Sequence, residues 1–149
     1  MAYPDLFAAV GVHSGLPCGA AKDLQSALAA MRHGAAGRRA SGLPGLPTIV
    51  FHGDADSTVH PDNGQHLVDA MTCGGEGSPQ VEQQPASAGR GYTRRVHRTP
   101  QGRVLAEHWV VHGSGHAWSG GCREGSYTDP AGPDATAQML RFFLAHPRR

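Results

Sequence analysis

The stretch TIVFHGDADSTVHP, residues 48–61, decides how the rest of the chain is read. It opens on an apolar, β-branched run without alternation, the pattern of a strand covered on both faces in a parallel sheet. Gly53 closes the run, and Asp56 follows three residues later. Open α/β sheets gather ligands and catalytic groups at the carboxyl ends of their strands, so Asp56 stands where a catalytic acid is expected. An aspartate after a strand is also a common turn former or helix cap, and that plainer reading stands beside the first.

An acid in this position serves a histidine. Further along, a second strand-like run (residues 104–112) leads into HGSGHAWSGG, residues 112–121, with His116 just past the strand end. A carboxylate bonded to one imidazole nitrogen fixes the tautomer and leaves the other nitrogen to take a proton from a nucleophile. The order Asp then His is the chain order of α/β-hydrolases, in which the serine comes first.

Outward from these two points the chain alternates. Residues 6–15 read as a short buried strand. Residues 20–34 read as an amphipathic helix with Leu24, Leu28 and Met31 on its apolar side and Gly34 as its stop. Residues 38–47 form a Gly/Pro loop, and a helix runs from Pro61 to Gly74-Gly75. Residues 74–91 are polar, Gly- and Gln-rich, and read as a surface loop. Residues 92–112 fold back on Pro100-Gln101-Gly102 as a hairpin. Pro133 and Asp134 open a last helix, with Met139, Leu140, Phe143 and Leu144 as its apolar stripe. The expected class is α/β: a truncated, mostly parallel sheet flanked by helices, with a β-hairpin insertion.

Bulk composition narrows the function. The chain has 149 residues, one domain's length, with 13 basic and 12 acidic side chains and a net charge of +1. That balance offers no field for nucleic acid or an anionic membrane. Lys22 is the only lysine, and the arginines are scattered. No apolar run is long enough to span a bilayer. No secretory signal follows Met1, so a natural start there would leave the chain in the cytoplasm. The three cysteines, Cys18, Cys73 and Cys122, form no CxxC pair. His108, His112 and His116 recur every four residues, but on a β-branched, Gly-broken stretch, so neither a metal nor any other cofactor is expected. Trp118 either lines a substrate pocket or packs as an indole under the histidine loop.

Four segments together resemble one known family: YPDLFAAVGVHSGLP, TIVFHGDADSTVHP, RVLAEHWVVHGSGHAWSGG and GSYTDPAGPDATAQMLRFFLAHP. They are similar to the C-terminal half of the polyhydroxybutyrate depolymerase-type esterases, α/β-hydrolases that include feruloyl and acetylxylan esterases. The resemblance covers nearly the whole chain except residues 74–90. It implies that Asp56 is the triad acid and His116 the triad base. It also implies an ester substrate (a polyester, an esterified polysaccharide or a small ester) and an extracellular parent.

In that family the nucleophile sits in a GxSxG elbow before the segment matching YPDLFAAV. No serine here fits: Ser14 is flanked at the glycine positions by Val12 and Leu16, Ser114 by His112 and His116, and Ser119 by Ala117 and Gly121. Ser14 ends a strand but lacks the elbow, and Ser57 reads as a turn residue. The chain is therefore expected to be the C-terminal portion of one α/β-hydrolase domain over residues 1–149, lacking its nucleophile and oxyanion donors. It would be inactive alone, a remnant, or one half of a split enzyme with a complementing N-terminal chain.

Overall fold

The computed structural model describes residues 6–35, 46–72, 78–87 and 89–148. In chain order these hold β1 (Val10–His13), α1 (Leu24–His33), β2 (Thr48–Gly53), α2 (Asp62–Thr72), β3 (Gln80–Gln84), β4 (Tyr92–Arg98), β5 (Val104–Val111), the two-residue strands β6 (Trp118–Ser119) and β7 (Thr128–Asp129), and α3 (Ala135–Ala145). Five strands form one sheet in the order β1-β2-β5-β4-β3. It is mixed: β1, β2 and β5 run parallel, and β5, β4 and β3 run antiparallel. β6 and β7 pair separately.

β2 is the centre. All six of its residues are buried. Ile49 and Phe51 turn to one face and join Trp109, Val111 and, from α3, Ala135, Met139 and Phe142. Val50 turns to the other face and joins Ala106 with Leu67 and Val68 of α2. An unalternating apolar run is what a strand with a helix on each face requires. The helices are fixed at their starts. Asp23 caps α1 by accepting the Ser26 N–H at 2.7 Å, and Asp134 caps α3 by accepting the Ala137 N–H at 2.9 Å.

Several expectations need correction. Part of the polar stretch 74–91 is strand β3, antiparallel to β4, and not simply a loop. Every β3 residue is exposed, so no apolar periodicity announces it. β1 is shorter than residues 6–15 and only half-buried, and Leu6 and Phe7 are exposed. The apolar stripe of α3 is Ala135, Met139 and Phe142, spaced i, i+4, i+7, whereas Leu140, Phe143 and Leu144 are exposed. Leu24 and Leu28 of α1 are exposed as well, and only Ala30 of that helix is buried. The turn YTDP and the loop after His116 contribute β7 and β6. Cys73, most of the loop 38–47 and the expected stop Gly74-Gly75 lie outside the described residues.

Candidate active site

Parallel pairing puts Gly53 of β2 opposite Val111 of β5, so the two strands end together. The loops that leave them therefore meet at one sheet edge. They are bonded to each other: the Asp54 N–H donates to Val111 O at 3.1 Å, the Ala55 N–H to Ser114 O at 3.1 Å, and the Gly113 N–H to Asp54 Oδ1 at 2.6 Å. Gly53 makes the approach possible, because a Cβ there would lie 2.2 Å from Ser114 O. Glycine is needed where another backbone comes this close.

Asp56 and His116 come together in this frame. Asp56 Oδ2 lies 2.8 Å from His116 Nδ1. The Asp56 side chain is fully buried and that of His116 is 38% exposed. The other carboxylate oxygen, Oδ1, accepts the N–H groups of Thr58 and Val59, each at 2.9 Å. One carboxylate oxygen thus forms the turn and the other holds the histidine. Burial pushes the Asp56 pKa up, but the Val59 N–H, the His116 ring and the Thr58 N–H outweigh it and leave the pKa below its ordinary value. Asp56 is an anion at neutral pH. With Nδ1–H donated to that anion, a neutral His116 carries its lone pair on Nε2, the arrangement of a general base.

Two further histidines support the loops, and the expectations above missed both. His52, buried in β2, has Nε2 2.8 Å from Val59 O and 3.5 Å from Asp56 Oδ2. It therefore donates from Nε2 and ties the Asp56 turn to its own strand. His13 ends β1 and accepts the Ser119 N–H on Nε2 at 2.9 Å. Burial, then the nearness of His52 and His116, lowers the His13 pKa to about 4 despite the opposing Asp56 charge. The available signal was positional, since each histidine lies at the carboxyl end of a parallel strand next to a residue already singled out.

Trp118 stacks on His13, with ring centroids 4.8 Å apart and planes 23° apart, and donates Nε1–H to Thr136 Oγ1 at 3.1 Å. Its ring is partly exposed beside the site. Ser114 Oγ donates to Asp129 Oδ2 at 2.9 Å, and Arg90 pairs with the same carboxylate. Ser14 is the one non-glycine residue with positive φ (50°) among the described residues, and its hydroxyl lies 3.2 Å from its neighbour His13 Nδ1. His108 is buried against α2, away from this edge: a Cβ on Gly64 of α2 would lie 2.9 Å from His52 Nδ1 and 3.2 Å from His108 Nε2. Among the described residues, no three His, Cys, Asp or Glu side chains are placed to hold a metal. No helix among them is long and apolar enough to cross a membrane.

Over residues 1–74 the chain matches the esterase PHB depolymerase family. The matched span holds β1, α1, β2 and α2, and therefore Asp56 with the turn that presents it. The resemblance read from the sequence is that of this family, whose name points to ester hydrolysis as its chemistry. His116 lies beyond the matched span. No curated protein matches the chain.

Proposed function

We propose that this chain supplies the acid and the base of a carboxyl-ester hydrolase of the PHB depolymerase type, built as the C-terminal part of an α/β-hydrolase. The observation that supports it most is the 2.8 Å bond between the buried Asp56 carboxylate and the half-open His116 ring at the ends of adjacent parallel strands. In this reading a serine Oγ attacks the ester carbonyl while its proton passes to His116 Nε2. Asp56 steadies the imidazolium. His116 then protonates the departing alcohol, takes a proton from a water whose oxygen attacks the acyl-serine, and returns that proton to the serine Oγ as the acid leaves. The exposed face of Trp118 is suited to be one wall of the acyl pocket. The substrate would be a polyester, an esterified polysaccharide or a small ester, handled outside the cell.

The attacking serine, in this proposal, belongs to a GxSxG segment or companion chain lying along β1, since none of the serines here has that setting. β1 is the terminal strand of the sheet, and its outer edge has no partner among the described residues. Unpaired strand edges recruit another strand.

A p-nitrophenyl ester assay with a serine-reactive fluorophosphonate probe tests this. The chain alone is expected to show no turnover and no labelled serine. Adding a GxSxG-bearing N-terminal half should restore hydrolysis, and His116→Ala should reduce it by about 10⁶-fold, the scale of losing the triad base. A complement that binds without any hydrolysis would sink the esterase reading. Turnover by the chain alone, with label on one of its own serines, would overturn the assignment of the nucleophile to another segment.

A further inference from the structure

We propose that His13 is a positioning residue for His116: as a neutral imidazole clamped between Phe51 and Trp118, it accepts the Ser119 N–H and holds the loop 112–119 against the end of β1. The inference rests on the reading of Asp56 and His116 as acid and base. His116 lies between two anchors. Upstream, Ser114 is tied to the Asp56 loop through the Ala55 N–H and to Asp129 through its hydroxyl. Downstream, Ser119 donates its hydroxyl to Pro133 O at 2.7 Å and its N–H to His13 Nε2 at 2.9 Å. Only the last of these bonds ties the loop to the parallel sheet itself.

A backbone N–H can only donate, so His13 Nε2 must carry the lone pair. The ring proton then sits on Nδ1, 3.2 Å from Ser14 Oγ. The Ser14 N–H in turn donates to Phe51 O at 2.9 Å and closes the strand end. The His13 ring is flanked by Phe51 at 5.8 Å and Trp118 at 4.8 Å, both nearly parallel to it. A protonated ring would have no acceptor left for Ser119. The titratable groups that face His13 are His52, His116 and Asp56, and with its burial they leave the ring neutral at pH 7.

The test is NMR of the ¹⁵N-labelled 149-residue chain. Long-range ¹H–¹⁵N correlations should show His13 as the Nδ1–H tautomer at pH 7. The Ser119 amide should exchange at least about tenfold faster in His13→Phe, which keeps a ring between Phe51 and Trp118 but removes the acceptor; tenfold is the loss of about one net hydrogen bond. His13→Gln, with an amide oxygen that can take the same proton, should recover most of the protection. The His116 resonances should broaden or split in the Phe variant and sharpen in the Gln variant. An Nε2–H tautomer for His13 in the unaltered chain overturns the proposal and needs no variant to fold. So does equal Ser119 exchange in wild type and His13→Phe. Failure of the underlying acid–base reading has a different signature: a His116 tautomer unchanged in Asp56→Asn. That result removes the role His13 would serve, whatever Ser119 does.

Discussion

All six residues of β2 are buried and all five of β3 are exposed, although both belong to one sheet with β5 and β4 between them. The first is covered by α2 on one face and α3 on the other. The second is held by its ladder to β4 and by Arg94, which reaches Glu82 of β3 at 3.0 Å. The groups proposed for function follow this division. Asp56, His116, His13 and His52 all stand at the carboxyl edge of the parallel strands, and none lies on β3 or β4. A packed centre with fixed strand ends can hold a carboxylate and an imidazole to a few tenths of an ångström, whereas a solvated edge strand cannot.

The contrast breaks most sharply at Phe51. The ring is fully buried and stacks on both His13 and Trp109. Phe51→Ala should cost about 4 kcal/mol, the usual loss for a core aromatic, read as a fall in urea midpoint. It should also loosen His13. Gly53→Ala comes next, at about 3 kcal/mol, because the new Cβ would meet a backbone carbonyl that cannot rotate aside. The loops must part to admit it, so the Asp56–His116 bond should weaken with the stability. An unchanged His116 spectrum in a folded Gly53→Ala chain would show that the two loops are not braced through Ser114.

These two positions also show what was legible beforehand. The run 48–53, its terminal glycine and Asp56 were plain because Ile49, Val50 and Phe51 are apolar without alternation, as a strand buried on both faces requires. The His116 loop stood out because the histidine follows the end of an apolar, strand-like run in a Gly-rich stretch. β3 did not, because Gln80, Glu82, Gln83 and Gln84 have the composition of a loop and acquire strand geometry only from β4. The stripe of α3 agrees with the expected one only at Met139 for a related reason: Leu140, Phe143 and Leu144 are as apolar as Met139 and Phe142, and only packing against β2 and β5 separates them. His13 and His52 went unread because their work is done through backbone amides and carbonyls, which sequence does not display.

Acid should act on the packed centre and spare the edge. His108 is buried on β5, with no hydrogen-bond partner among the described residues on either ring nitrogen, and burial together with nearby Arg95 and His52 lowers its pKa to about 3. The unfolded chain binds a proton there near pH 6.5, and the folded chain does not. The stability from this group is therefore complete above about pH 6.5 and declines as the pH falls toward 3. At pH 5 the loss is about 2 kcal/mol. Urea midpoints at pH 7.5 and pH 5 measure it; His13, lowered to about 4, and His52 and His97, lowered as well, add to the acid loss, so His108→Leu should remove only its own share of about 2 kcal/mol. Equal acid sensitivity in the two chains would assign the effect elsewhere.

The smallest effect belongs to β3. Arg94 grips the buried Glu107 with two bonds, at 3.1 and 3.0 Å, while its contact with Glu82 reaches a half-exposed carboxylate. Glu107 is also held by Arg141 of α3 and by the Trp109 indole, so it binds sheet and helix together without help from β3. Removing the outer partner leaves Arg94 paired and no charge stranded. Glu82→Ala should therefore cost no more than about 0.5 kcal/mol, as exposed ion pairs generally do. Amides of β3 should exchange faster while those of β2 and the His116 resonances stay as they were. A loss above about 1 kcal/mol would mean that β3 unfolds together with the buried strands. The division between a rigid centre that holds the proposed acid and base and a dispensable edge would then have to be given up.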